Sequence, residues 1–301
     1  DARPQGNTMS KTIALATLIA AATISAGSAL AAPVCPGITE KRELNILLPA
    51  YIYPSDSAPY ATMWAKILAD AAIAKKSGFK LVVVVNPASG VFTTVDPQYT
   101  KIIDKLDAAG AMVVGYVYSN WGKRPFGEIA TNIAAYRSLY PKVRGIFVDE
   151  AQMDTAHYTY YSALRRAAIQ QFGGSALVVG NAPGSQLAET RHREAFDVTV
   201  AYEDVGGHLA GFVQQTMVRY AAPRDIAYIV NAAGQISATS QLERACAVAK
   251  SIRHSPASTR NAGWWFLTTD SGANAYDTLG SEHGAFMQAT CWVNTLQPCP
   301  N

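Results

Sequence analysis

Residues 81–118 read LVVVVNPASGVFTTVDPQYTKIIDKLDAAGAMVVGYVY, and their pattern decides the fold class. Leu81–Asn86 is a short apolar, β-branched run closed by a polar residue. Such a run suits a strand that is covered on both faces. Lys101–Ala109 spaces its apolar residues at helical intervals, and Met112–Tyr118 is a second β-branched run. Strand, helix and strand in this order make a parallel sheet with a crossover helix.

Working outward, the same alternation fills the chain from Asn45 onward. Further strand candidates are Ile46–Tyr51, Gly145–Asp149, Ala176–Gly180, Val198–Tyr202, Ile226–Val230 and Gly263–Leu267, which brings the total to eight. Amphipathic segments lie between them, at Ala61–Lys76, Gly127–Tyr140, Tyr158–Phe172 and Ser240–Arg253. Eight such units favour a closed (β/α)8 TIM barrel of the α/β class over an open doubly wound sheet. No Gly/Ser/Pro linker or charge run divides the chain, so residues 32–301 are expected to form one domain.

Composition agrees with a large core: 49% of the 301 residues are hydrophobic and 16% charged. A net charge of +3 without a Lys/Arg block provides no electrostatic footprint for nucleic acid. After Met9, Lys11 is followed by the small apolar stretch Ile13–Ile24 and by Ala29-Leu30-Ala31, the layout of a secretory signal with an A-x-A cleavage site. The competing reading, a membrane anchor, fits less well, because Thr, Ser and Gly interrupt the run and no basic flank follows. Residues 1–31 are therefore expected to be an extension plus cleaved signal, leaving an exported protein that acts as a monomer without a stable anchor.

Four cysteines remain in the expected mature chain: Cys35, Cys246, Cys291 and Cys299. Their spacing fits no CxxC metal pattern, and an even number in an exported chain favours disulfides. Three pairings are possible; the one preferred here joins Cys35 to Cys246 and Cys291 to Cys299.

Barrel chemistry lies at the C-terminal ends of the strands and in the loops that follow. Those exits carry Tyr51 and Tyr53, Asn86, Tyr116, Tyr118, Asn120 and Trp121, Asp149 and Glu150, Asn181, Tyr202 and Glu203, Asn231, and Asp270. Glycosidic cleavage usually uses two carboxyl groups, and Asp149, Glu150 and Glu203 supply candidates on strands four and six. Alternation places Glu203 inward in phase with Thr199 and Ala201, and Asp149 inward in phase with Gly145 and Phe147, with Glu150 out of phase. Taken singly, each acid reads more readily as a helix cap or a partner for a surface Arg; three at strand exits reverse that reading. The aromatics, each alone a plausible core residue, together suit stacking on sugar faces.

Other chemistries find less support. His157, His192, His208, His254 and His283 show neither HxH nor HExxH spacing, so no metal is expected. Ser89, Ser119 and Ser185 lack the G-x-S-x-G elbow of an esterase, and no phosphate-cradling GxGxxG follows a strand. No cofactor is expected.

The segments Leu48-Pro49-Ala50-Tyr51-Ile52-Tyr53-Pro54, Val85–Gly90, Gly115–Gly122, Gly145–Glu150 and Tyr202-Glu203 resemble the spherulin-4-like family, in matching order over nearly the whole mature chain. What this resemblance implies is a (β/α)8 glycoside hydrolase acting on exopolysaccharide rich in N-acetylgalactosamine, such as galactosaminogalactan, as an endo-α-1,4-N-acetylgalactosaminidase. It also implies an acidic pair at Asp149 and Glu150 and a further glutamate at Glu203, with Asp149 as nucleophile and Glu203 as acid/base by similarity to related α-glycosidases. Two alternatives stand beside it: a carbohydrate-binding or wall-associated barrel without turnover, and a glycosidase for another amino-sugar polymer.

Overall fold

The computed structural model describes residue 2 and residues 34–152, 154–183, 194–214, 221–252 and 260–300. The expected signal segment lies outside the described residues, as do Ser185, His192 and His254. The chain divides into Asp1–Ala32 and Pro33–Asn301, and the second unit holds the barrel.

Eight parallel strands close into a ring in chain order: β1 (Asn45–Ala50), β2 (Leu81–Val85), β3 (Met112–Tyr118), β4 (Gly145–Asp149), β5 (Leu177–Asn181), β6 (Val198–Val205), β7 (Ile226–Asn231) and β8 (Trp264–Leu267). Helices α1 (Tyr60–Ser77), α2 (Pro97–Ala109), α3 (Phe126–Leu139) and α4 (Tyr158–Phe172) each follow one of the first four strands. The helix Gln241–Ser251 follows β7, and His283–Thr295 follows β8. The chain is thus a (β/α)8 barrel. All five residues of β2 are buried, as a strand between a filled interior and an outer helical layer requires.

Local chemistry sets the helix ends. Asp96 caps α2, its Oδ1 accepting from the Gln98 amide at 2.9 Å, and Pro97 occupies the first helical position. The helix therefore starts four residues before the expected Lys101, at the cap and not where the apolar spacing becomes regular. Ser240 caps the helix Gln241–Ser251 through the Glu243 amide at 3.1 Å, while the Glu243 carboxylate reaches back to the Thr239 amide at 2.6 Å.

β6 departs from expectation in a way that matters for the site. It runs on to Val205, three residues past the expected end at Tyr202, and its register with β7 shifts between Val200 and Tyr202. Val200 pairs with Ala227 and Tyr202 with Tyr228, so Ala201 is an extra, bulged residue. Register partners share a face of the sheet. Glu203, opposite Ile229, therefore shares the face of Ala227 and Val200, whereas Thr199, opposite Ile226, lies on the other face. The expected phase of Thr199 with Glu203 is corrected: the bulge breaks the alternation on which that count relied.

The ring is closed by a thin seam. β1 and β8 share only the pairs Asn45–Trp264 and Ile46–Trp265, against six between β6 and β7. The segment leading into β1 reinforces this seam. Asn294 accepts from the Leu44 amide at 3.1 Å and donates to the Leu44 carbonyl at 2.9 Å, and Arg42 bonds the Ile252 carbonyl at 2.7 Å. Disulfides join Cys35 to Cys246 and Cys291 to Cys299, the pairing preferred from the sequence.

Candidate active site

Backbone strain marks the C-terminal face of the barrel. Outside glycine, positive φ among the described residues occurs at Ala88, Ser89, Asn120, Trp121, Glu150 and Ala232, all just after strands, and at Leu296. Six of the seven thus line one face, where sparsely populated conformations accompany function. Gly90 (φ +75°) belongs to the same set, because a Cβ there would lie 2.3 Å from the Tyr116 carbonyl oxygen.

At the centre of this face Asn181, the last residue of β5 and 4% exposed, donates its amide nitrogen to two carboxylates. It reaches Asp149 Oδ1 at 2.7 Å and also bonds Glu203 Oε2. Asp149 ends β4 and accepts two more hydrogen bonds, from the Tyr116 hydroxyl at Oδ2 (2.8 Å) and from the Glu150 amide at Oδ1 (2.9 Å). Glu203 Oε1 accepts from the Tyr276 hydroxyl at 2.5 Å. Burial pushes the Glu203 carboxyl up; the Tyr276 and Asn181 hydrogen bonds pull it down, and the charge of Asp149 raises it.

Strand alternation does not govern Glu150. The strand ends at Asp149, and Glu150 turns into the left-handed region at φ +53°. Its carbonyl is held by the Ser119 hydroxyl and the Trp121 amide, both at 2.8 Å. Among the described residues no hydrogen bond or ion pair holds the Glu150 carboxylate, which lies close enough to Tyr116 to raise that phenol's pKa.

The remaining sequence candidates divide between the centre and the rim. Tyr51 packs edge-on against Tyr116 and Tyr276, with ring centroids at 5.4 and 5.5 Å. Burial, then the Asp149 and Glu203 charges, raise its hydroxyl well above the usual phenol range. Asn231 bonds the Tyr276 hydroxyl. Trp121 is 44% exposed at the rim beside exposed Asn120, and Tyr53 bonds Asp96 at 3.2 Å. The Arg124 guanidinium covers one face of Tyr118 at 4.3 Å. Asn86 holds the Tyr99 hydroxyl with its carbonyl, while its buried Oδ1 has no partner. Two candidates are not brought to the acids. Tyr202 turns to the outer face, against Phe212 and Tyr228, as the register of the bulged strand dictates. Asp270 is engaged within its own loop, by Thr278 at 2.8 Å and the Ser271 amide at 2.9 Å.

Tyr276 is the residue that sequence reading missed. It lies in the long loop after β8, in Asn274-Ala275-Tyr276-Asp277, beyond the few residues at each strand exit where candidates were sought. The signal was the same Tyr/Asn/Asp composition, displaced along the loop.

The described histidines pair elsewhere: His157 with Asp154, His208 with Asp204 and His283 with Asp70. Among the described residues no group of three or more His, Cys, Asp or Glu is arranged to hold a metal ion. The site offers a pair of carboxyl groups linked by one amide, a third carboxylate free to meet a ligand, and a wall of tyrosines. That arrangement can donate a proton, accept one and present a nucleophilic oxygen.

A family model described as spherulation-specific family 4 matches residues 45–290. Spherulin-4 of Physarum polycephalum is 31% identical over 172 residues, 57% of this chain and 48% of that protein, so the match spans about half of the relative's length. Aspergillus clavatus Sph3, solved in complex with GalNAc, superposes with a TM-score of 0.65 at 20% identity, covering 83% of this chain and 98% of that one. At that identity the likeness establishes a common barrel fold.

Proposed function

The chain belongs to spherulation-specific family 4, and from that membership and the geometry of the mouth we propose that it is a glycoside hydrolase cleaving N-acetylgalactosamine-containing exopolysaccharide, as an endo-α-1,4-N-acetylgalactosaminidase. The observation that carries this reading is the Asn181 amide nitrogen bonded to both Asp149 and Glu203. Two hydrogen bonds of about 3 Å each keep the bonded oxygens within about 6 Å. That proximity lets both acids act on one glycosidic bond, and the mechanism proposed for them is double displacement.

In the proposed mechanism Glu203, whose proton is favoured by burial, protonates the glycosidic oxygen while Asp149 attacks the anomeric carbon. The leaving sugar departs as an alcohol and a glycosyl ester forms on Asp149. Glu203, now ionised, takes a proton from water, whose oxygen attacks the anomeric carbon and releases Asp149. Glu150 and the Tyr51–Tyr116–Tyr276 wall contact the sugar. The choice of sugar rests on the family resemblance and on Sph3 having been solved with GalNAc. Action outside the cell is supported by the two disulfides.

Incubation with fully acetylated and de-N-acetylated α-1,4-galactosamine polymers tests this reading. New reducing ends from the acetylated polymer are expected. Retention on the polymer without new ends would leave a carbohydrate-binding barrel in its place.

A further inference from the structure

Tyr276 donates to Glu203 Oε1 at 2.5 Å, while Glu203 Oε2 is held by the Asn181 amide. The two partners are not equivalent. An amide nitrogen only donates, whereas a hydroxyl donates or accepts by rotating its hydrogen. A proton on Oε2 would meet the Asn181 N–H; a proton on Oε1 meets an oxygen that can accept it. The Tyr276 ring is fixed for this task. It stands edge-on to Tyr51 at 5.5 Å, its carbonyl accepts from the Tyr51 amide at 3.0 Å, and Asn231 bonds its hydroxyl.

We propose that Tyr276 is a positioning residue for Glu203, keeping the exchangeable proton on Oε1 by switching between acceptor and donor as that proton leaves and returns. The inference rests on the glycosidase reading and deepens it. Tyr276 donating to Oε1 is the arrangement of the Glu203 carboxylate; when Oε1 carries the proton, the Glu203 O–H donates to Tyr276 instead. When the glycosidic oxygen takes the proton, the O–H bond breaks with its electron pair staying on Glu203, and the Tyr276 hydroxyl turns to donate to the new carboxylate. The phenolic O–H bond itself stays intact. A hydrogen bond to a charged acceptor is roughly twice as strong as one to a neutral acceptor, so Tyr276 favours the state that follows proton transfer. Facing Glu203 from the surrounding elements are Asp149 from β4, Asn181 from β5, Tyr116 from β3, Tyr51 after β1 and Asn231 from β7, the last through Tyr276. Asp149 is the one carboxylate among them.

The test is Tyr276→Phe, assayed on an acetylated α-1,4-galactosamine oligomer across the pH range. We expect kcat to fall about 10- to 100-fold with KM changed far less, the loss of a charged hydrogen bond. The basic limb should also move up by about one pH unit, because the carboxylate loses a donor. Asn231→Ala, which removes only the group bonded to Tyr276, should move the limb in the same direction by less. A carboxyl 13C NMR titration of Glu203, assigned by difference with Glu203→Gln, reads the same effect without substrate. A titration midpoint unmoved in both variants overturns the proposal even if the enzyme is active. A moved midpoint with no hydrolysis of any polymer sustains the coupling and overturns only the glycosidase reading.

Discussion

Tyr116 donates its hydroxyl to Asp149 Oδ2 at 2.8 Å, although the register pairs Tyr116 with Phe147 and Asp149 with Tyr118. The phenol leans along the barrel axis by two positions to meet an acid on the neighbouring strand. Tyr116→Phe keeps the ring against Tyr51 and removes only this donor. The expected result is a fall in kcat of about 10- to 100-fold with an unchanged melting temperature, since hydrogen bonds to charged groups contribute about 1.5–3 kcal/mol. A wild-type kcat in this variant would show that the Tyr116 bond plays no part in the action of Asp149.

The three acids are expected to divide the chemistry. Asp149→Asn and Glu203→Gln should each lower kcat by about 10²- to 10⁴-fold. Glu150→Gln should lower it less and act in part through KM, because the described structure ties the Glu150 backbone and leaves its carboxylate to the ligand. If instead Glu150→Gln is as inactive as Asp149→Asn and azide restores only the former, the nucleophile is Glu150.

Stability should carry the mark of Glu203. Its folded-state pKa is raised, chiefly by burial, so the folded protein holds this proton more tightly than the unfolded chain. The contribution is fully present below the unfolded pKa of about 4.3 and is lost as pH rises through the folded value. Glu203→Gln removes this loss. Its melting temperature relative to wild type is expected to be higher at pH 8 than at pH 4, and a difference independent of pH would contradict the raised value.

The two disulfides should contribute unequally. In the chain-entropy picture, Cys35–Cys246, with a sequence separation of 211, is worth about 5 kcal/mol, and Cys291–Cys299, with a separation of 8, about 2.5 kcal/mol. Cys246→Ala should therefore lower the melting temperature more than Cys299→Ala, and dithiothreitol should lower that of the wild type. Equal losses would indicate that the long bridge acts on a denatured chain that is already compact.

The eight strands and five of the helices were legible because apolar runs and helical spacing act locally, and the exits of β3, β4 and β5 pointed to Tyr116, Asp149 and Asn181 for the same reason; the helix His283–Thr295 was not read from the sequence. Glu203 was placed on the inner face by an alternation that the Ala201 bulge breaks, so the conclusion held while its premise did not. A bulge is a property of a pair of strands, and one strand's sequence does not announce it. Tyr202 was selected for its place at a strand exit, although the alternation that turns Glu203 inward turns its neighbour outward, against Phe212 and Tyr228. Tyr276 escaped because its place depends on how a loop folds back over the barrel, which no local period encodes. Glu150 escaped its phase because the strand stops one residue earlier.

The narrow β1–β8 seam also bears on how the protein comes to fold. Asn45 and Trp264 stand at opposite ends of the barrel's sequence, so the pairing that completes the ring has among the longest loops to close. Until it forms, the growing sheet presents two raw edges, β1 on one side and the newest strand on the other, each able to recruit a strand from another chain. Cys35 and Cys246 meet just beside this junction, tying the segment before β1 to the helix before β8. Oxidation at that point would convert a transient meeting of distant segments into a latch, turning an aggregation-prone open sheet into a sealed cylinder.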